Sequence, residues 1–264
     1  MLGVVFALGH DFHAEVVDGI YAAAGGHGYE VVLSGVSPRR SEPEAVRAIL
    51  AETTLEKLRI SSVEPMDWTD DLISLVSSSS RIARHAHVPM QSGSDAVLRR
   101  MHRKYRPWHY REKIEKIRAA MPTAAIGADV MVGFPGETDA EFESTRKMVE
   151  ELPFTYLHVF TYSARPGTPA AVMPKQVPVH VARERNRVLR ELAAKKKLSF
   201  LRSFVGKTVE AITLNVVGSD SCREFTEALT DNYLKLRLRG RHESNHWQNI
   251  RVEDVVGGSL VGQQ

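Results

Sequence analysis

The sequence predicts an α/β fold of about six β-α units, arranged as a partial parallel barrel or an open doubly wound sheet and followed by a small all-β barrel. Three observations predict it. Short apolar runs alternate with helical patterns up to about residue 203, and the loops after those runs are polar and rich in Gly and Pro. After Gly206 the pattern changes to short strands separated by turn residues. The 264 residues, 43% of them hydrophobic, suffice for one large core and an accessory domain.

The first run, Gly3-Val4-Val5-Phe6-Ala7, reads as a strand, and Val16, Val17, Ile20 and Ala24 then recur on one helical face. Gly25-Gly26-His27-Gly28 stops that helix before a second strand, Tyr29-Glu30-Val31-Val32-Leu33. A second helix starts after Ser41, because Glu44 stands three residues on in the capping-box position. Further strands are expected at 57–62, 85–90, 125–133 and 156–162, with helices at 70–76, 95–101, 110–120 and 139–152. A long helix with basic residues interleaved among Val188, Leu189, Leu192 and Leu198 is expected over 179–204, its basic face either solvated or turned to RNA phosphates. Short strands are then expected at 208–214, 224–230, 233–238 and 249–256.

Composition excludes several classes of function. No stretch approaches the roughly 18 apolar residues of a membrane span, and Met1 to Leu8 has no signal-peptide pattern, so the expected compartment is cytoplasmic. Cys222 is the only cysteine, which excludes an intramolecular disulfide framework. The formal charge of +3 permits nucleic-acid binding without requiring it. His85 and His87 share one face of a strand, but two ligands do not make a site, and no metal is expected.

Ligand chemistry is expected at the strand ends, where both candidate architectures place it. Ser61-Ser62-Val63-Glu64-Pro65, Pro89-Met90-Gln91-Ser92-Gly93-Ser94, Gly133-Phe134-Pro135-Gly136-Glu137-Thr138 and Tyr162-Ser163-Ala164-Arg165-Pro166-Gly167 follow four successive strands. They read either as turn chemistry or as the rim of a shared pocket.

From about Ala48 to its end the chain resembles the radical S-adenosylmethionine tRNA methylthiotransferases, in particular the threonylcarbamoyladenosine branch. The resemblance rests on His87-Val88-Pro89-Met90-Gln91-Ser92-Gly93-Ser94, Met101-His102-Arg103-Lys104-Tyr105, the run Ala128 to Thr138 and the run Phe160 to Pro169. It implies a six-unit partial barrel of radical-enzyme type that binds S-adenosylmethionine. By resemblance Gln91 and Ser92 line the nucleoside side, Arg103 and Asp129 address the methionyl carboxylate and ammonium, and Glu64 and Tyr162 complete the cofactor-binding set.

The family holds an iron-sulfur cluster on a cysteine triplet, which one cysteine cannot supply, so the cluster is expected to be absent and radical catalysis with it. Phe204-Val205-Gly206-Lys207 and Leu229-Thr230-Asp231-Asn232-Tyr233 resemble the TRAM domain that ends these enzymes, an OB-like RNA-binding barrel. The resemblance implies tRNA as partner, met by Tyr233 and a stripe of Lys235, Arg237 and Arg239.

Residues 3–37 instead resemble the start of a LacI-type sugar-binding domain, through Gly3-Val4-Val5-Phe6, the run Asp11 to Ile20 and Gly28-Tyr29-Glu30-Val31-Val32-Leu33. Phe12 there is either a sugar-packing aromatic or a hydrophobic staple. The expected organisation is therefore a hybrid first quarter at 1–48, a radical-enzyme barrel and basic helix at 49–203, and a TRAM-like domain at 204–264. Two readings stand at this point: a methylthiotransferase-like binder of S-adenosylmethionine and tRNA, and a non-catalytic chimeric scaffold.

Overall fold

The computed structural model describes residues 2–7, 18–20, 22–24, 31–36, 41–60, 62–220 and 223–264. They form two compact units, Met1–Ile60 with Asp67–Ala83, and Ser61–Met66 with Arg84–Gln264. Among the described residues no helix is long and apolar enough to cross a membrane.

In the first unit β1 (Leu2–Ala7) pairs in parallel with β2 (Val31–Val36) as a two-stranded sheet, and residues 18–20 and 22–24 are helical. Parallel pairing requires a crossover, and the intervening residues supply its length. Helix α1 (Glu42–Glu52) starts as its capping box predicts, with the Glu44 carboxylate accepting from the Ser41 backbone N–H at 2.8 Å. Helix α2 (Asp70–Ser78) is capped by Thr69, whose hydroxyl accepts from the Leu72 N–H at 3.1 Å.

Among the described residues of 57–62 the expected strand does not form. Leu58 makes one isolated bridge to Ile82, and Arg81 replaces the ladder by donating to the carbonyls of Leu50, Thr53 and Leu55, each at 2.7 Å. One guanidinium thus satisfies three carbonyls at the end of α1 and in the segment that follows it.

The second unit carries a three-stranded parallel sheet in the order β3 (His85–His87), β4 (Ala125–Val132), β5 (Tyr156–Thr161). Sheet pairing among the described residues therefore runs in separate sets of two and three strands instead of the six-unit array expected. Strand β3 is half the length expected because Pro89 cannot donate to a ladder. The carbonyls freed there are met from below: Tyr110 O–H donates to the Val88 carbonyl at 2.6 Å and Tyr105 O–H to the Met90 carbonyl at 3.0 Å. Burial pushes both phenols well above the ordinary tyrosine range.

Helices α3 (Asp95–Arg100), α4 (Pro107–Ala120), α5 (Asp139–Glu151) and α6 (Val179–Arg202) complete the α/β part. Helix α4 begins three residues earlier than the periodicity suggests, since Pro107 suits a first helical position. Helix α6 is tied in by Arg185, which is buried and donates to Glu137 Oε2 at 2.6 Å and to Asp139 Oδ1 at 2.6 Å. Close packing of α6 on the turn after β4 needs Gly133, at φ +76°, because a Cβ there would lie 2.6 Å from the Ala182 Cβ.

Strands β6 (Thr208–Asp220), β7 (Arg223–Thr230), β8 (Lys235–Arg239), β9 (Trp247–Val256) and β10 (Ser259–Gln263) close into a barrel in the order β10-β8-β7-β6-β9. Ala211, Ala228, Leu236, Leu238, Ile250, Val252 and Leu260 fill it, with Leu201 and Phe204 entering from the end of α6. Closure leaves no unpaired sheet edge.

Candidate functional site

Two groups of side chains meet at the three-stranded sheet of the second unit, one in a cleft at its carboxyl end and one on its face. The cleft has a volume of about 240 Å³ and is lined by residues that include Gln91, Arg100, Arg103, Met131, Phe134 and Met173. These follow β3, end β4, and follow β5, the rim where parallel sheets place ligands. Small-molecule sites run to roughly 300–1,000 Å³, so this cleft holds part of a ligand rather than a whole nucleotide-sized one.

Gln91 sits in the left-handed region at φ 60°, with its N–H donating to the Asp129 carbonyl at 2.8 Å and its carbonyl accepting from Met131 N–H at 2.8 Å. A non-glycine residue held there by hydrogen bonds on both sides marks a site where local strain is tolerated for placement of a side chain. Ser92 behaves differently. It is buried, its hydroxyl lies 3.1 Å from the Thr145 hydroxyl of α5 and accepts from the Ser94 N–H, and it fastens the turn instead of facing the cleft.

Arg103 reaches the cleft and pairs with Glu64, its Nη1 donating to Oε1 at 2.9 Å. That joins two residues the sequence reading had assigned separately. Arg100 also lines the cleft. Its Nη2 donates to Glu141 at 2.9 Å, while its Nε is buried with no hydrogen-bond partner among the described residues. A buried guanidinium N–H without an acceptor costs free energy that an anionic ligand would recover. The Tyr162 hydroxyl is likewise buried without a hydrogen-bond partner, and its ring meets Phe134 edge-on at 5.4 Å.

The face of the sheet carries a polar chain that periodicity alone could not assemble. Residues at every second position share a face, and the parallel register sets Gly127 beside His87 and Tyr156, and Asp129 beside His158. Tyr156 OH lies 2.8 Å from His85 Nε2 and 3.0 Å from His87 Nδ1; His87 Nε2 lies 3.2 Å from Asp129 Oδ1. His87 and His158 rings stand 5.6 Å apart. Gly127 makes room for this chain, because a Cβ there would fall 1.9 Å from the Tyr156 ring.

His85 and His87, which share a strand face, do not themselves make up a converging donor set. Both contact one tyrosine, and the residues whose donor atoms converge are His87, Asp129 and His158, all within 4.8 Å of one another. Asp129, expected to receive the cofactor ammonium, is turned to His87.

In the C-terminal barrel the basic alternation is present, with Lys235 and Arg239 exposed and Arg237 half-buried. Arg239 pairs with Glu253 at 2.8 Å and Arg237 lies over the Phe225 ring at 4.9 Å. Tyr233 is not in the strand. It turns at φ 62° and its ring packs 5.6 Å from His85, so the aromatic expected to stack on a base is packed against the α/β sheet. Asn232 fastens the same junction by donating to the Thr123 carbonyl at 2.8 Å.

Comparison with known proteins places residues 12–149 in a match to the Radical SAM superfamily. The match extends across the stretch where two folds were expected to join, and neither the LacI-type fragment nor a fusion gains support from it. Phe12 and Cys222 lie outside the described residues. The chain is 46% identical over 209 residues to a tRNA-2-methylthio-N(6)-dimethylallyladenosine synthase of Salinispora arenicola, covering 79% of this chain and 38% of that protein. It is 37% identical over 203 residues to the threonylcarbamoyladenosine tRNA methylthiotransferase MtaB of Bacillus subtilis, covering 77% and 43%. The chain thus spans about two fifths of the length of these curated relatives. Among solved structures, a radical SAM coproporphyrinogen III oxidase of Escherichia coli aligns at 16% identity and a TM-score of 0.47, covering 76% of this chain and 52% of that one.

Proposed function

This chain belongs to the Radical SAM superfamily, and from that premise we propose that it is a tRNA methylthiotransferase-type module that binds S-adenosylmethionine in the rim cleft and tRNA through its C-terminal barrel. The observation that carries the first half is the buried Arg100 Nε without a hydrogen-bond partner, lining a cleft with Arg103 and the strained Gln91. A methionyl carboxylate in the cleft is matched by the Arg100 guanidinium and by Arg103, which Glu64 holds. Gln91 offers hydrogen bonds to the nucleoside. The relatives' names supply the substrate class, an adenosine in tRNA, with the threonylcarbamoyladenosine branch favoured by the motif runs. The five-stranded barrel serves as a TRAM-like domain, with Lys235, Arg237 and Arg239 toward the phosphates and Tyr233 as a brace.

Superfamily members use S-adenosylmethionine together with an iron-sulfur cluster, which supplies the electron that cleaves the sulfonium. Three thiolates hold such a cluster. These 264 residues contain one cysteine, so their donor set does not fit it, and no radical step is assigned to them. The chain's own residues bind and orient. Reconstitution with iron and sulfide under anaerobic conditions, followed by iron and sulfide determination and nucleoside analysis of tRNA, tests this. The expected result is no stoichiometric cluster and no methylthiolated nucleoside; either one in stoichiometric amount refutes it. Filter binding of tRNA tests the barrel, with saturable, salt-sensitive binding expected.

A further inference from the structure

We propose that His87, Asp129 and His158 form a binding site for a divalent transition-metal ion of the zinc class on the face of the α/β sheet. The three side chains come from β3, β4 and β5, the rigid elements of the unit, and their donor atoms already lie within 4.8 Å of one another. Tetrahedral coordination with bonds of 2.0–2.1 Å sets donors about 3.3 Å apart. The His87 Nε2 to Asp129 Oδ1 distance is 3.2 Å, so two of the three ligands stand at coordination spacing. The His158 donor nitrogen lies within 4.8 Å of both and closes to coordination spacing by a side-chain adjustment.

The surroundings orient the ligands as metal sites do. Metal-bound histidine usually donates its second nitrogen to a fixed acceptor, which sets the tautomer. With Nε2 on the ion, His87 Nδ1 carries its proton and donates to Tyr156 OH at 3.0 Å, and that hydroxyl donates onward to His85 Nε2 at 2.8 Å. Gly127 is required for Tyr156 to lie there at all. Two imidazoles and one carboxylate select zinc, cobalt(II), nickel(II) or iron(II) over magnesium or calcium. Three protein ligands leave a coordination position open, and His158 is exposed, so the open position faces solvent and takes water or an oxygen of a bound ligand. The site shares no residue with the cleft lining, and it takes Asp129, which the resemblance sets against the cofactor ammonium.

The test is titration of untagged protein with zinc chloride by calorimetry and with cobalt(II) chloride by visible absorption. One equivalent should bind saturably, and the cobalt form should show the intense d–d bands of a four- or five-coordinate centre. His158→Ala and Asp129→Asn should each weaken binding at least about tenfold, while His180→Ala, on helix α6, should leave it unchanged. Far-ultraviolet circular dichroism confirms folding, and because His158 is exposed its truncation leaves the core intact. No saturable binding at millimolar metal overturns the proposal, as does binding that His158→Ala leaves unchanged or that His180→Ala removes.

Discussion

Replacing Arg185 by Ala isolates a carboxylate at the centre of the second unit. Glu137 has a side chain with no solvent exposure, and Arg185 is 7% exposed. Glu137 Oε2 accepts from Arg185 at 2.6 Å and from the Gly133 N–H at 2.7 Å. Burial pushes the Glu137 carboxyl above the ordinary range, and the Gly133 N–H and the Arg185 guanidinium only partly oppose it. Removing the guanidinium leaves a buried charge with one hydrogen bond. Breaking such a pair costs about 3–5 kcal/mol, a large share of the roughly 5–15 kcal/mol that holds a domain together.

The pH dependence follows from the sign of the shift. A carboxyl raised in the folded state stabilises that state when protonated, and the contribution disappears as pH rises through its folded value. Arg185→Ala raises the group further, so its deficit should be largest at pH 7.5. It should shrink near pH 4.5, where the carboxyl is increasingly protonated and what is lost is the Arg185 hydrogen bonds to Glu137 and Asp139. Urea unfolding at both pH values measures this, and Arg185→Met with Glu137→Met should recover most of the loss. A deficit below about 1 kcal/mol at pH 7.5, or one that does not change with pH, refutes the reasoning.

Glu141 provides the opposite case: burial raises its carboxyl, but Arg100 and the Thr138 N–H and hydroxyl outweigh burial and hold it below the usual range. Its stabilisation is present above the ordinary carboxylate value and is lost as pH falls through the depressed one, so Glu141→Gln should flatten the acid limb of a stability profile. Gly127→Ala should destabilise by about 1–3 kcal/mol in a denaturant melt, because the new methyl meets the Tyr156 ring and forces it to move; wild-type stability would contradict that packing. In tRNA filter binding between 50 and 200 mM salt, Lys235→Ala should lower the slope of log affinity against log salt by about 0.7, one phosphate contact. Arg239→Ala should have a smaller effect, because Glu253 already neutralises that guanidinium.

The local signals in the sequence were sound where they rested on backbone chemistry. Ser41 and Glu44 mark a helix start that the structure reproduces, whereas periodicity alone starts α4 at 110 and misses Pro107, where it opens. Strand β10 was missed although its hairpin carried the signal: Gly257-Gly258, both at positive φ, form a two-residue turn that sets Ser259 opposite Val256. The site was legible only in part. Gln91 follows from its strand-end loop and Arg103 only from the resemblance, while nothing local distinguishes Arg100 from its exposed basic neighbours Arg99 and Lys104. His158 and Tyr156 join His87 and Asp129 only through the register of β3, β4 and β5, and register between strands so far apart in the chain is not written in local pattern. Tyr233 shows the same limit, since the contact that turns it from a base-stacking aromatic into a brace is with His85, far away in the chain.

The central claim is that the rim cleft binds the carboxylate end of S-adenosylmethionine through Arg100. Calorimetric titration of the chain with S-adenosylmethionine, beside Arg100→Ala and a repeat with decarboxylated S-adenosylmethionine, tests it most directly. The account predicts saturable binding by the wild type, weakened at least tenfold both by the substitution and by loss of the carboxylate. Wild-type binding that ignores both changes, or no heat at millimolar ligand, contradicts it.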